Sequence, residues 1–329
     1  MRKMIVYANL FMMKNPGWKS LRSKLTPIFT TDKLKKMFEL MLAVADDLAK
    51  HLDSLHLDGD GKVVEFKDIC GNFVTGMIGS TAYGLKVGSL ENPKATFREY
   101  GRTIFNYNFY RNMDLLTIFF YPGLVKYLKP KFFGKKASNF FRIIFWNVIE
   151  QRINSGQKRN DLIDLLIEMR EKYKNDECLK DYKFDGDDLV SQASIFFTGG
   201  FETSSTTMSF ALYELALNPD VQKTLRAELQ DALAKTDGKI TYDMIMILPY
   251  LDMVISETLR KYPLLAFLDR ITLADYKAPN SDLVIEKGTP IFISTKSAKI
   301  RSTLIHRGSQ KCQAKFRLLS LWRGTPHLH

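Results

Sequence analysis

Thr198-Gly199-Gly200-Phe201-Glu202-Thr203-Ser204-Ser205 lies near the middle of a segment, 186–217, whose apolar residues recur at three and four and predict one long helix. Two adjacent glycines and a cluster of hydroxyls are poor helix formers, each glycine costing about 1 kcal/mol relative to alanine. Two readings stand. In one, the helix breaks here into a loop. In the other it continues, and the missing side chains let a flat ligand lie against it, while Glu202 and Thr203 supply a carboxylate and a hydroxyl for proton delivery.

Working outward, helical periodicity runs from residue 17 to about 262 and predicts further helices over 32–56, 66–80, 94–106, 136–155, 160–175, 219–235, 242–247 and 249–261. Asp58-Gly59-Asp60-Gly61, Pro122-Gly123, Asn154-Ser155-Gly156 and Asp185-Gly186 separate them as turns. Asn218 and Thr241 stand where N-caps belong, with Pro219 in the first turn after Asn218. Short β-rich pieces follow at Phe267 to Leu273, Leu283 to Ile285 and Pro290 to Ile293. The fold class is therefore mainly α with a small β-sheet.

Two more clusters carry chemistry. Glu257 and Arg260, in Ser256-Glu257-Thr258-Leu259-Arg260-Lys261-Tyr262-Pro263, share one helical face. Such a pair is usually a solvated bridge, but the apolar neighbours Val254, Ile255 and Leu259 and the prompt stop at Pro263 also suit burial. Trp18 and Arg22 stand four apart, setting an indole beside a guanidinium that either packs or holds a carboxylate in two parallel hydrogen bonds.

Together and in this order, the three clusters resemble the cytochrome P-450 family, and within it the microsomal insect members that oxidise foreign compounds. Leu25-Thr26-Pro27-Ile28-Phe29-Thr30, Arg159-Asn160-Asp161 and Asn218-Pro219-Asp220-Val221-Gln222 add to the resemblance, which runs from about Asn9 to Thr295. It implies a partial P-450 fold, helices C to K, over residues 1–295. It also implies that Trp18, Arg22 and Arg270 hold the propionates of heme b, and that Gly199 and Gly200 flank the heme and bound oxygen. Glu202 and Thr203 would then relay protons to split the O–O bond, and Glu257 with Arg260 would form a buried core pair. The implied activity is insertion of one oxygen atom from O2 into an apolar small-molecule substrate, with electrons from a flavoprotein reductase. The implied location is the cytoplasmic face of the endoplasmic reticulum membrane.

Two departures qualify that resemblance. The family's anchor helix and first sheet should precede Trp18, where only 17 residues stand, and its ligand loop F-x-x-G-x-R-x-C-x-G is not in this frame, so no metal ligand is assigned. Cys70, Cys178 and Cys312 have no such surroundings, and their wide spacing suits neither structural zinc nor a disulfide framework.

The charge pattern explains the second departure. Of the formal +12, residues 296–329 contribute eight basic side chains and no acidic one, leaving +4 for the rest. Trp322 to His329 can be coded TGG CGA GGG ACC CCG CAT TTG CAT, which one base later reads Gly-Glu-Gly-Pro-Arg-Ile-Cys, and Ser320-Leu321 supply Pro-Phe before it. Residues 296–329 are thus expected to be an out-of-frame tail, and the chain as translated is expected to be inactive, a non-catalytic fragment that binds no heme. The +12 charge by itself invites a nucleic-acid or anionic-membrane reading, and with the tail set aside the nucleic-acid reading loses its support. Met1 to Met13 is apolar but is cut short by Lys14-Asn15-Pro16, and no run of about 18 apolar residues predicts a transmembrane helix.

Overall fold

The residues described in the computed structural model are 9–56, 63–104, 108–173 and 182–295. Their helices are α1 (Gly17–Leu25), α2 (Thr31–Ser54), α3 (Phe66–Tyr83), α4 (Thr96–Ile104), α5 (Phe109–Phe120), α6 (Val125–Leu128), α7 (Lys135–Ser155), α8 (Leu162–Tyr173), α9 (Gly186–Leu217), α10 (Pro219–Ala234), α11 (Tyr242–Met246) and α12 (Pro249–Lys261). Four strands follow: β1 (Phe267–Ile271), β2 (Tyr276–Lys277), β3 (Val284–Ile285) and β4 (Pro290–Ser294). Antiparallel pairing joins β1 to β4 and β2 to β3, with Arg270 opposite Ile291. The chain is therefore mainly helical with small antiparallel sheets.

The chain divides into two compact units between Thr206 and Thr207, inside α9. In the first, α3 packs against α2, α4 and α8, and α7 packs against α4 and α8. Because α3 is enclosed by three neighbours it buries eleven residues around its whole circumference instead of one stripe. Tyr83, Phe97, Phe141 and Phe197 form an aromatic core, with Phe197 centred 5.2 Å from both Phe97 and Phe141 in edge-on contacts. The Tyr83 hydroxyl donates to the Ala193 carbonyl at 3.0 Å, so the polar end of this fully buried ring is satisfied. Gly101 allows α4 close to this cluster, because a Cβ there would meet Phe197 at 2.8 Å.

In the second unit, Val221 and Leu225 of α10 pack with Val254 of α12, and Leu215, Leu229, Tyr250 and Leu251 surround them. Thr241 caps α11 by accepting from the Met244 N–H at 3.2 Å. Asn218 does not cap α10 as its position suggests: its amide turns back to donate to the Glu214 carbonyl at 2.7 Å and closes α9 instead. α5 and α6 are not among the predicted helices. α5 is apolar on most of its faces, so three-and-four spacing is lost, although Asn108 marks its start by accepting from the Arg111 N–H at 2.9 Å. β2 is likewise an addition, two residues held by β3.

Candidate functional site

α9 passes through Gly199 and Gly200 without interruption, which rejects the loop reading of that segment. The two glycines differ in what surrounds them. Gly199 is exposed, and a Cβ built on it would meet no atom of the described residues within 4 Å, leaving an open, bare strip of helix of the sort a flat group can lie against. A Cβ on Gly200 would come 3.1 Å from Ile78 of α3, so this glycine lets two helices approach.

Two residues on, Glu202 is fixed by a partner from α3 that lies 135 positions away. The Lys67 ammonium donates to Glu202 Oε1 at 2.8 Å, to Ser205 Oγ at 3.2 Å and to Thr206 Oγ1 at 2.5 Å. Thr206 also reaches the same carboxylate oxygen at 3.1 Å. Both charged side chains remain about two-fifths exposed, so the carboxylate is oriented by its neighbours yet open to water. Thr203 donates its hydroxyl to the Gly199 carbonyl one turn back, and a bond of this kind commonly bends a helix. Lys67 was not legible as a functional residue in the sequence; only the Glu65 N-cap that starts α3, accepting from the Lys67 N–H at 3.1 Å, marks its neighbourhood.

Trp18 and Arg22 lie on α1, in the same unit as the Gly199 strip. Leu21 and Leu25 anchor that helix, Trp18 is half-buried and Arg22 is exposed. The guanidinium is therefore accessible to an anionic group.

The second unit holds the other predicted residues. Arg260 donates Nε and Nη2 to the two oxygens of Glu257 at 2.7 and 2.6 Å, a two-pronged bond along one face of α12. Glu257 is buried with Val254, as expected, and with Thr258, whereas the other two apolar neighbours, Ile255 and Leu259, are exposed. Arg260 is held above its ordinary pKa by that hydrogen bond, which outweighs desolvation. Arg270 sits exposed on β1 with Nη1 donating to the Asp269 carbonyl at 2.7 Å.

Next to the end of α12, Glu214 accepts from Lys261 at 2.5 Å and from the Tyr262 hydroxyl at 2.6 Å, while the Tyr262 ring stacks on Phe210 at 4.0 Å. Burial alone would raise the Glu214 carboxyl, but the bonds from Lys261, Tyr262 and Asn218 bring it below the ordinary carboxylate value. A depressed folded-state value means stabilisation that is present above the unfolded value and lost as pH falls through the folded one. The Tyr262 hydroxyl, bonded to that carboxylate, is pushed up to about 12. We expect Tyr262→Phe to cost about 1 kcal/mol in urea unfolding at pH 7 and to reduce the acid-side loss of stability. An unchanged acid limb would show that Glu214 does not depend on this hydroxyl.

Of the three cysteines, Cys178 and Cys312 lie outside the described residues, as do residues 296–329, and Cys70 is buried in α3 at 3% exposure. Among the described residues no group of three or more His, Cys, Asp or Glu could hold a metal ion, and no helix is long and apolar enough to cross a membrane. Arg22 thus offers an exposed guanidinium and Gly199 a bare strip of helix that fit an anionic, flat group, while the one cysteine among the described residues, Cys70, is buried in α3.

Comparison with known proteins gives a concordant picture. The family model described as Cytochrome P450 matches residues 3–303. Cytochrome P450 6k1 of Blattella germanica is 43% identical over 300 residues, covering 87% of this chain and 57% of that protein. Probable cytochrome P450 6g2 and Probable cytochrome P450 6a14 of Drosophila melanogaster are 42% and 41% identical, each covered over 57% of its length. The chain thus spans a little over half the length of the curated relatives it matches.

Proposed function

Because the chain belongs to the cytochrome P450 family, which uses heme, we propose that its residues serve a heme-thiolate monooxygenase acting on apolar small molecules with electrons from a flavoprotein reductase. The observation that carries the reading is the uninterrupted α9, with Gly199 bare and open and Glu202 and Thr203 following at once. Bound heme would supply the iron at which oxygen is activated. Arg22, with the Trp18 indole beside it, and Arg270 would each neutralise a propionate. Glu202 would take protons from water at its exposed edge, and the Lys67 bond sets which oxygen remains free for that exchange. Thr203 would pass the proton on by turning its hydroxyl away from the Gly199 carbonyl.

The proposed membrane surface rests on α5 and α6. Phe109, Tyr110, Tyr127 and Leu128 are 72, 81, 75 and 63% exposed there, with Lys129 and Lys131 close by in sequence, a combination suited to an anionic interface. By family we place the protein at the cytoplasmic face of the endoplasmic reticulum membrane.

For the chain as translated, the proposal is that residues 1–295 carry the P450 domain and that residues 296–329 are read one base out of frame. As translated it would then be inactive, since propionate contacts do not replace an axial thiolate. Two measurements test this. In the transcript, the last two bases of the Leu328 codon and the first of the His329 codon should spell cysteine. In carbon-monoxide difference spectra of the reduced, heme-supplied protein, the chain as written should show no thiolate-type red-shifted Soret band, and the frame-corrected chain should show one. Such a band from the uncorrected chain would make an in-frame cysteine the ligand and end the frame proposal. Its absence from the corrected chain would end the heme-thiolate assignment for these residues.

A further inference from the structure

A polar cavity of about 350 Å³ lies between α3, α4 and α9 and shares Lys67 and Glu202 with the site described above. Arg98 of α4 forms its inner wall. The side chain is only 6% exposed, yet among the described residues its Nε finds no hydrogen-bond partner. Among the same residues its ionic contact is to Asp68 at 3.5 Å, and that carboxylate is itself more than half exposed. The guanidinium lies 5.1 Å over the Phe201 ring, and it fits only because Gly71 has no side chain: a Cβ there would come 2.5 Å from Nη2. The fold thus makes room for a buried cation whose charge is only partly met by the described residues.

The surrounding charges define that partner. Burial and the neighbouring Arg102 both disfavour the Arg98 cation, and Asp68 and Glu202 only partly offset them. Lys67, also in the wall, is already engaged by Glu202, Ser205 and Thr206. Three cations and two carboxylates line the space, one positive charge in excess. A doubly charged phosphate would meet repulsion from the two acids, whereas a single carboxylate matches the excess. Its two oxygens can be shared between the terminal nitrogens of Arg98 and the guanidinium of Arg102, both of which line the space. The volume lies at the small end of ligand pockets and so suits a short hydrocarbon body.

We infer that the Arg98 cavity binds a small organic monocarboxylate, with Arg98 and Arg102 as its anchors. The test uses the purified full chain, benzoate as probe and benzamide as its neutral isostere, in thermal unfolding at fixed ionic strength. Benzoate should raise the melting temperature along a saturating curve, as a ligand specific for the folded state does, and benzamide should not. Arg102→Gln, a change at an exposed position of α4 that should leave the circular dichroism unaltered, should weaken the half-saturation concentration at least about five-fold for one lost charge-assisted contact. Arg98→Lys, which keeps the charge but lacks the planar guanidinium, should weaken it further. Equal shifts from benzoate and benzamide, no shift from either, or unchanged binding by Arg102→Gln would each overturn the site. A larger shift from inorganic phosphate than from benzoate would overturn the monocarboxylate assignment.

Discussion

Replacing Arg152 with methionine should destabilise the first unit by about 3–5 kcal/mol, among the largest effects expected of any single change in this chain. Arg152 comes from the last turn of α7 and is 8% exposed; it bonds Asp161 through Nη1 at 3.2 Å and Nη2 at 2.9 Å and also pairs with Asp164. Those two carboxylates are 0% and 9% exposed. Burial pulls the Arg152 guanidinium below its ordinary value, but the bonds and charges of Asp161 and Asp164 more than reverse this, so the cation is held in place by them.

The carboxylates have other duties. Asp164 accepts the N–H groups of Arg159 and Asn160, both at 2.7 Å, and Asp161 accepts that of Asp164 at 3.1 Å, so together they shape the turn between α7 and α8. The cluster extends to Gly84, whose φ of +63° ends α3 and whose absent Cβ would otherwise lie 2.4 Å from Arg152 Nη2. Methionine fills the arginine's space without its charge and leaves two buried anions facing each other. Urea unfolding of Arg152→Met measures the cost. Adding Asp164→Asn should recover part of it, because the remaining repulsion is removed while an acceptor for the turn is kept. A single-variant loss below about 1 kcal/mol would place the cluster with solvent-screened surface pairs.

How far the sequence was legible follows the range of the forces involved. Helices with an apolar stripe, such as α2, α10 and α12, fall within two residues of their predicted limits, because three-and-four spacing is a local signal. α5 escapes that signal, since its exposed aromatics fill faces that are normally polar. The Gly199-Gly200 pair was legible as a special place in α9, but not the difference between its members, which depends on Ile78 more than a hundred residues away. The same holds for Lys67 on Glu202 and for Arg98 beneath Gly71. An isolated lysine or arginine on a helix normally reads as solvated, and only the packing of α3, α4 and α9 shows otherwise. Asn218 is the opposite case: its sequence signal was clear, and a closer acceptor on Glu214 won the side chain.

The pair on α12 is where local reading and tertiary burial must be weighed against each other. Three-residue spacing by itself implies a surface bridge worth a few tenths of a kcal/mol. The geometry implies more, because Glu257 is 9% exposed at its side chain and both its oxygens are taken by the guanidinium of Arg260, itself 21% exposed. Arg260→Met should therefore strand a buried carboxylate and cost about 3 kcal/mol, less than a wholly buried pair because water reaches one edge of the arginine. Glu257→Leu combined with Arg260→Met should restore most of that loss, since an apolar pair of similar volume needs no partner for a charge. Chemical unfolding of the two single variants and the double variant closes the cycle, and the coupling energy isolates the pair from the rest of α12. A coupling below about 1 kcal/mol would mean that water screens Glu257 despite its burial. A double variant as unstable as Arg260→Met alone would show that the arginine stabilises α12 through its packing, with the charge contributing little.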